Sequence, residues 1–313
     1  MHYVGIAALI AIPNGISNVF DAIGWRRLLP PKTGSFFHVF TIHFSAEVIV
    51  RSIPGGIAIA DSVKVLLLKR ECGVPPSASI ASAIWRRWFL GISQSVYLFI
   101  GAAAGFPYIY AGSIALTGNG NIAWAALAAS VLLTATLLSL FILPAMKLGG
   151  MLLAIFRHIP GARLRAWIMR KEQVFAELDT VIAAIKNQRA LEIVHTVGIY
   201  FCVWIWETIE TYIYMLALGF HVAFFQAMAL ETLVSAMRLI MFFLPSGAGV
   251  QELGYAGLMV AFGIVPAAGD AASFMLLKRA RDIAGISLGY AILLKKGIKP
   301  TRKMVPKILG SDL

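Results

Sequence analysis

Long apolar segments alternate with short polar stretches along the whole chain, and this alternation predicts membrane helices. About 20 apolar residues cross the hydrocarbon core of a bilayer, and several segments reach that length. The apolar segments lie near 3–23, 35–52, 56–71, 79–106, 122–148, 191–218, 224–244, 247–264 and 271–294. The pattern therefore predicts an all-α polytopic membrane protein.

Two pairs of these segments are joined by the same unusual sequence, in which a proline and nearby glycines precede an acid. One copy runs from Pro54 to Asp61 and the other from Pro245 to Glu252, and the acid follows the proline by seven residues in both. A lipid-facing helix disfavours these residue types, because they interrupt backbone hydrogen bonding or bury a charge. Their occurrence in register in both halves predicts a duplicated functional device made of two interrupted helical hairpins.

Composition supports membrane insertion and argues against nucleic-acid binding. The chain has 313 residues, of which 59% are hydrophobic and 13% are charged, whereas soluble domains have about 25% charged residues. The net charge of +12 is concentrated in loops and no soluble basic domain carries it, so nucleic acid is not an expected partner. Cys72 and Cys202 are isolated, and we interpret them as small apolar fillers.

The loop charges predict how the hairpins are oriented. Basic residues concentrate near Arg26 and Arg27, between 147 and 189, and after residue 294, whereas 107–121 is an uncharged loop. The positive-inside rule puts the basic zones and the C-terminus on the cytoplasmic side of the membrane and 107–121 outside. The first hairpin then enters from the cytoplasm and the second from outside.

Oppositely oriented hairpins define an inverted-topology repeat, whose substrate site is expected near the bilayer midplane. The short arms favour re-entrant hairpins, and two thin crossings are the alternative. We predict four regions: a first repeat over 1–106 with hairpin 35–71, a connector over 107–190, a second repeat over 191–294 with hairpin 224–264, and a basic tail over 295–313. Within the connector, 163–185 predicts an amphipathic helix on the cytoplasmic leaflet or, alternatively, a linker helix packed under the bundle.

Charged residues inside the apolar segments are the candidates for function, because a charge at the centre of a membrane helix costs about 2.5–3.5 kcal/mol on insertion scales. Asp61 and Lys64 lie three residues apart and can pair. Glu47 and Arg238 each precede their proline by seven residues, and we expect them to interact. The predicted substrate-binding residues are Arg51, Pro54, Gly55, Gly56, Asp61, Lys64, Glu207, Glu210, Arg238, Pro245, Gly247, Gly249, Gln251, Glu252, Arg279 and Arg281.

Two interpretations of these charges stay open. They form structural ion pairs that hold the bundle together, or they line a cationic cavity for an anionic lipid headgroup such as a phosphate. The glycines allow the chain to turn and the backbone to approach a partner closely. Asp61 and Glu252, just inside the second arm of each hairpin, are either partners of a helix terminus or protonatable groups.

The sequence shows no enzyme signature. Its six histidines are scattered, no carboxylate has metal-ligand spacing with a histidine, and no P-loop is present. We therefore predict no catalytic residues, no metal and no cofactor.

Three stretches carry a family resemblance: 244–254 (LPSGAGVQELG), 53–56 (IPGG) and 24–29 (GWRRLL). They resemble the flippase-like transmembrane domain of lysylphosphatidylglycerol synthases. The family has stand-alone members, and one group is associated with hopanoid biosynthesis. The soluble aminoacyl-transferase domain of the full synthases is absent from the sequence, so the resemblance implies lipid translocation and not aminoacylation.

We predict a lipid translocase that moves an amphiphilic or anionic lipid between leaflets. Membrane lipids are its expected partners, with anionic headgroups at the basic cytoplasmic face and lipid-biosynthesis enzymes as further candidates. An ion- or proton-coupled transporter of a small solute is the first alternative. The second is a non-catalytic membrane partner of lipid-modifying enzymes.

Overall fold

The described part of the chain is helical throughout, in agreement with the predicted all-α membrane fold. The computed structural model describes residues 2–31, 33–54, 56–142, 180, 189–240 and 249–298. The helices are α1 (His2–Leu28), α2 (Phe36–Ser52), α3 (Ile57–Cys72), α4 (Pro76–Ala104), α5 (Phe106–Thr117), α6 (Asn121–Ile142), α7 (Ala190–Ala217), α8 (Phe224–Ile240), α9 (Val250–Ala261) and α10 (Ala272–Lys295). Gly55, Pro245, Gly247, the tail after residue 298 and the predicted helix 163–185, apart from Thr180, lie outside the described residues.

The prediction of a loop over 107–121 is wrong, because most of this stretch forms α5. Helix α5 bends away from α4 by 76° at Gly105. A Cβ atom at Gly105 would lie 2.6 Å from the Cβ of Ala229, so only glycine allows α8 to pack this closely. Pro107 begins the new helix, where its fixed φ is favourable and its missing N–H is not needed.

Few of the helices have the length and apolar composition of an ordinary membrane span. In the described residues two helices meet both criteria, over Asn121–Ser139 and Ala190–Ala217, and the bent pair of α4 and α5 would make a third. Hairpin helices such as α3 are short and contain charged residues. This is consistent with helices that bury polar groups against one another rather than facing lipid on all sides.

Helices α1 to α4 and α7 to α10 form two corresponding sets that run in opposite directions. Helix α1 packs along α7 with Gly24 against the ring of Tyr200. Eleven residues earlier in α1, the carbonyl of Pro13 accepts a hydrogen bond from Trp206 Nε1 at 2.8 Å. The two helices are therefore antiparallel, since a lower residue number in one meets a higher number in the other. An antiparallel equivalent pair is what an inverted-topology repeat requires.

The cross-packing between the two sets follows the same symmetry: α2 lies against α10, and α8 lies against α4. Hairpin partners α2 and α3 pack together, as do α8 and α9. A hairpin helix of each set packs against the last helix of the other set, and these contacts join the two sets into one bundle. The boundaries of the four predicted regions stay a prediction.

A pair of glycines four residues apart lies where the last helix of each set packs against the other set. In α4, a Cβ atom at Gly101 would lie 2.0 Å from Thr232 Oγ1 of α8, one turn before the contact at Gly105. In α10, a Cβ atom at Gly289 would lie 2.0 Å from Val48 Cγ1 of α2, one turn after Gly285, which faces Asn14 of α1. Small residues at this spacing let membrane helices approach closely. The sequence analysis missed this signal.

We expect Gly289→Ala to destabilise the protein by about 1–3 kcal/mol, the usual effect of overpacking. The added methyl group meets Val48, whose β-branched side chain is stiff. Gly257→Ala is the matched control, because a Cβ atom there has nothing within 4 Å. Thermal unfolding in detergent measures both, and Val48→Ala should restore much of the stability lost in Gly289→Ala. Equal unfolding temperatures for the two glycine variants would contradict the close packing.

Candidate functional site

The charged residues within each set of four helices converge on one network of ion pairs. The first network is formed by His43, Asp21, Arg86, Glu47, Lys64, Asp61 and Arg87, from α1, α2, α3 and α4. The second network is formed by Glu252, Arg279, Asp282, Arg281, Glu210, Lys278, Glu231, Arg238 and Glu207, from α7, α8, α9 and α10. Every helix of each set contributes at least one member.

Arg86 is the centre of the first network. Its Nε and Nη2 donate to the two oxygens of Asp21 at 2.7 and 2.5 Å, a bidentate pair, and Nη2 also lies 3.0 Å from Glu47 Oε1. The same Glu47 oxygen accepts from Lys64 Nζ at 2.5 Å. His43 Nε2 lies 3.4 Å from Asp21 Oδ2, with its ring fully buried. Arg86 thus holds two carboxylates from two different helices.

Glu231 is the centre of the second network and has no solvent exposure. Its carboxylate accepts hydrogen bonds from Thr211 Oγ1 and Tyr255 Oη, both at 2.6 Å. Arg238 Nη2 lies 2.9 Å from one oxygen and Lys278 Nζ lies 3.6 Å from the other. A buried carboxylate with two cations and two hydroxyl donors is fully satisfied, as a group at this depth must be.

Positive and negative side chains alternate along each network. The second network has close contacts in the order Glu252, Arg279, Asp282, Arg281, Glu210, Lys278, Glu231, Arg238, Glu207. The first has the order His43, Asp21, Arg86, Glu47, Lys64, Asp61, Arg87. Neighbouring members in each order have opposite charge, with His43 the one member that is charged only when protonated.

Burial decreases from the middle of the second network to its two ends. The central Glu210 and Glu231 side chains are at most 1% exposed, whereas Glu252 is 35% and Glu207 is 20% exposed. In the first network, exposure rises towards Arg87 at 31%. Each network therefore has a sealed interior and at least one end that a ligand can reach.

The same pair recurs at equivalent places in the two networks. Asp21 and Glu210 each lie seven residues before the last residue of their helices, α1 and α7. Asp21 pairs with Arg86 at 2.5 Å, and Glu210 pairs with Arg281 at 2.5 Å. Both arginines come from the last helix of their set. Both networks thus contain a carboxylate–arginine pair between the first and the last helix of their set.

Two expectations about pairing have opposite outcomes. Asp61 and Lys64 do pair, at 3.5 Å, which confirms the prediction from their spacing. The predicted interaction between Glu47 and Arg238 is wrong, because each side chain is held within its own network. Arg238 contacts Glu207 at 2.7 Å as well as Glu231, and the cations around Glu47 all come from α3 and α4.

Arg51 connects the two halves of the molecule. It lies in α2, and its Nη1 donates to Asn14 Oδ1 of α1 at 3.0 Å. Asn14 in turn faces Gly285 of α10, so this hydrogen bond lies where the two repeats meet.

The hairpin residues that the structure describes have local roles. Gly56 ends the turn after the exposed Pro54, and a Cβ atom there would lie 2.4 Å from the carbonyl oxygen of Ile49, so this glycine allows the chain to turn as predicted. Gly249 has φ +82°, a conformation that favours glycine, and it precedes α9. Gln251, in the first turn of α9, is 9% exposed.

Glu252 is the partner of a helix terminus, one of its two predicted roles. Its Oε2 accepts from the N–H of Gly249 at 2.8 Å, which satisfies a donor at the start of α9. Its other oxygen accepts from Arg279 Nε, so the same carboxylate also joins α9 to α10.

The sequence analysis missed Asp21, His43 and Glu231 as members of the networks. All three lie within long apolar helices, where an ionisable residue indicates function or a specific partner by default. That rule, applied to every charge in α1, α2 and α8, would have identified them. In the described ranges, no three His, Cys, Asp or Glu residues come together in a way that could hold a metal ion.

An all-helical bundle with antiparallel repeats and ion pairs buried in apolar helices defines a polytopic membrane protein with an inverted repeat. The family model for the lysylphosphatidylglycerol synthase TM region matches residues 1–288, and the chain belongs to this family. The membership gives the chain a function related to membrane lipids. No curated protein and no solved structure matches the chain.

Proposed function

We propose that the protein is a lipid translocase that moves an amphiphilic lipid between the leaflets of the bacterial inner membrane, with its C-terminus in the cytoplasm. The observation that carries this proposal is the pair of ion networks, each of which has a buried interior and at least one partly exposed end. A lipid headgroup that crosses a bilayer must exchange water for other polar partners, since an unpaired charge at this depth is costly.

Partly exposed charged side chains supply such partners. Asp61 and Arg87 are 23% and 31% exposed at one end of the first network, and Glu252 and Arg279 are 35% and 25% exposed at one end of the second. Exposed leucines and isoleucines of the same helices, such as Leu253 and Ile57, offer apolar contacts for acyl chains. A polar end bordered by apolar surface matches the two chemistries of a lipid.

The inverted arrangement supports alternating access as the mechanism. Because the two repeats are oppositely oriented, a rocking motion that opens one network towards one leaflet closes the other. The glycine pairs at the cross-packed interfaces permit close sliding contact between the repeats. The proposal assigns movement of an unchanged lipid to this chain, with no bond made or broken.

Reconstitution into liposomes tests the proposal. Lipids labelled with a fluorophore on one acyl chain are added to both leaflets, and a membrane-impermeant reductant then quenches the outer leaflet. We expect the protein to make nearly all of the label accessible, whereas protein-free vesicles keep about half protected, as two equal leaflets require. Protection equal to that of protein-free vesicles for every headgroup would overturn the proposal, and solute flux in the same vesicles would then favour a small-solute transporter.

A further inference from the structure

We propose that the transported headgroup carries a phosphate and a primary ammonium group together, so that its net charge is zero. This inference rests on the proposed translocase function and names the class of lipid for the same site. It differs from the cationic cavity for an anionic headgroup that the sequence favoured as one alternative.

The first step is the charge balance of the two networks, taken over the described residues. The first network has three carboxylates and three cations, with His43 left out of the count. The second has five carboxylates and four cations. Neither network therefore has an excess of positive charge to attract a net anion.

A pair of opposite charges, Glu252 and Arg279, lies at the accessible end of the second network. Glu252 and Arg279 are both partly exposed, and beyond each other their partners are the N–H of Gly249 and the carboxylate of Asp282. The exposed fractions of the two side chains are 35% for Glu252 and 25% for Arg279. This end thus presents one cation and one carboxylate, side by side, to an entering headgroup.

The third step is the exchange of partners. If a net anion displaced Glu252 from Arg279, the released carboxylate would lose its cation beside the apolar side chains of a membrane helix, which is unfavourable. A headgroup with both charges avoids this loss: its phosphate takes the guanidinium and its ammonium takes the carboxylate. Both new contacts are charge-assisted hydrogen bonds.

The ammonium must be able to donate hydrogen bonds to replace those that Glu252 gives up. A primary ammonium has three N–H donors, as in lysine, whereas a quaternary ammonium has none. The site therefore distinguishes phosphoethanolamine-type from phosphocholine-type headgroups as well as from net anionic ones.

The test compares three lipids with the same acyl-chain label and unmodified headgroups: phosphatidylethanolamine, phosphatidylcholine and phosphatidylglycerol. In vesicles that contain the purified full-length chain, we expect phosphatidylethanolamine to cross at least about tenfold faster than either of the others, a factor that corresponds to about 1.4 kcal/mol. Phosphatidylglycerol crossing as fast or faster overturns the inference and leaves the translocase function standing. If no lipid crosses faster than in protein-free vesicles, both fail.

The double variant Glu252→Gln with Arg279→Gln locates the selectivity. With this variant, phosphatidylethanolamine and phosphatidylcholine should move between the leaflets at rates within about twofold of each other, since neither charge remains to distinguish the two headgroups. The matched control is Glu71→Gln with Lys296→Gln, which removes an ion pair of 2.5 Å outside both networks. The control should keep the wild-type selectivity, and selectivity that survives in the Glu252 and Arg279 variant overturns the assignment of the site.

Discussion

Arg86→Leu is expected to lower the free energy of unfolding by about 3–5 kcal/mol, because it removes the only permanent cation beside Asp21 among the described residues and one of the cations around Glu47. Arg86 is 2% exposed and holds Asp21 and Glu47 at once. Leucine removes the charge and keeps an apolar side chain, so the loss measures the uncompensated carboxylates more than an empty cavity. Chemical unfolding in detergent micelles, followed by circular dichroism, gives the difference directly.

Arg87→Leu is the matched control, one residue further along the same helix. Arg87 is 31% exposed and lies at the end of the network, so we expect a loss of about 0–1 kcal/mol, typical of exposed ion pairs. Asp21→Asn added to Arg86→Leu should recover part of the stability, since it removes the carboxylate that has lost its arginine. Similar losses for the two arginine variants would show that burial does not set the strength of these contacts.

Glu231→Gln is expected to have an effect of similar size in the other repeat, about 3–5 kcal/mol. The amide is isosteric with the carboxylate, but it leaves Arg238 and Lys278 one anion short. It also presents an NH₂ group to a pocket where Thr211 and Tyr255 already act as donors. Both defects lie where no water can compensate them, because Glu231 has no exposed surface.

Glu207→Gln is the matched control, because it makes the same change in charge at a more exposed residue. Glu207 also pairs with Arg238, but its side chain is 20% exposed. We expect it to cost about 0–1 kcal/mol. Lys278→Met, combined with Glu231→Gln, should restore the charge balance and recover stability relative to Glu231→Gln alone. A double variant that is no more stable than Glu231→Gln would contradict a role of charge balance.

Much of the architecture could be predicted from the sequence, because lipid requires helices and the apolar segments mark them. The predicted segment 35–52 corresponds to α2 at Phe36–Ser52, and 271–294 corresponds to α10 at Ala272–Lys295. The charges of the loops also predicted that the two repeats run in opposite directions across the membrane. The stretch 107–121 was misassigned because the absence of charge was interpreted as a loop, whereas Gly105 and Pro107 mark a bend between two helices.

The partners within the site could be predicted only where they lie close in sequence. Asp61 and Lys64 share one face of α3, so their pairing follows from helix geometry alone. The pairing of Glu47 with Arg86 depends on how the bundle brings α2 and α4 together. The spacing of residues along the sequence does not predict that arrangement. The expected contact between Glu47 and Arg238 failed for this reason: equivalent positions in a repeat need not meet in space.

The most direct test of the central claim, that the exposed ends of the second network carry lipid across the membrane, is the crossing rate of acyl-labelled phosphatidylethanolamine in vesicles containing Glu207→Gln with Glu252→Gln. Both carboxylates lie at exposed ends, so the variant should fold and insert as the wild type does. We expect its crossing rate to fall at least about tenfold, or about 1.4 kcal/mol of activation free energy. Glu71→Gln, which loses a carboxylate outside the networks, should keep the wild-type rate. Equal rates for the wild type and both variants would contradict the claim.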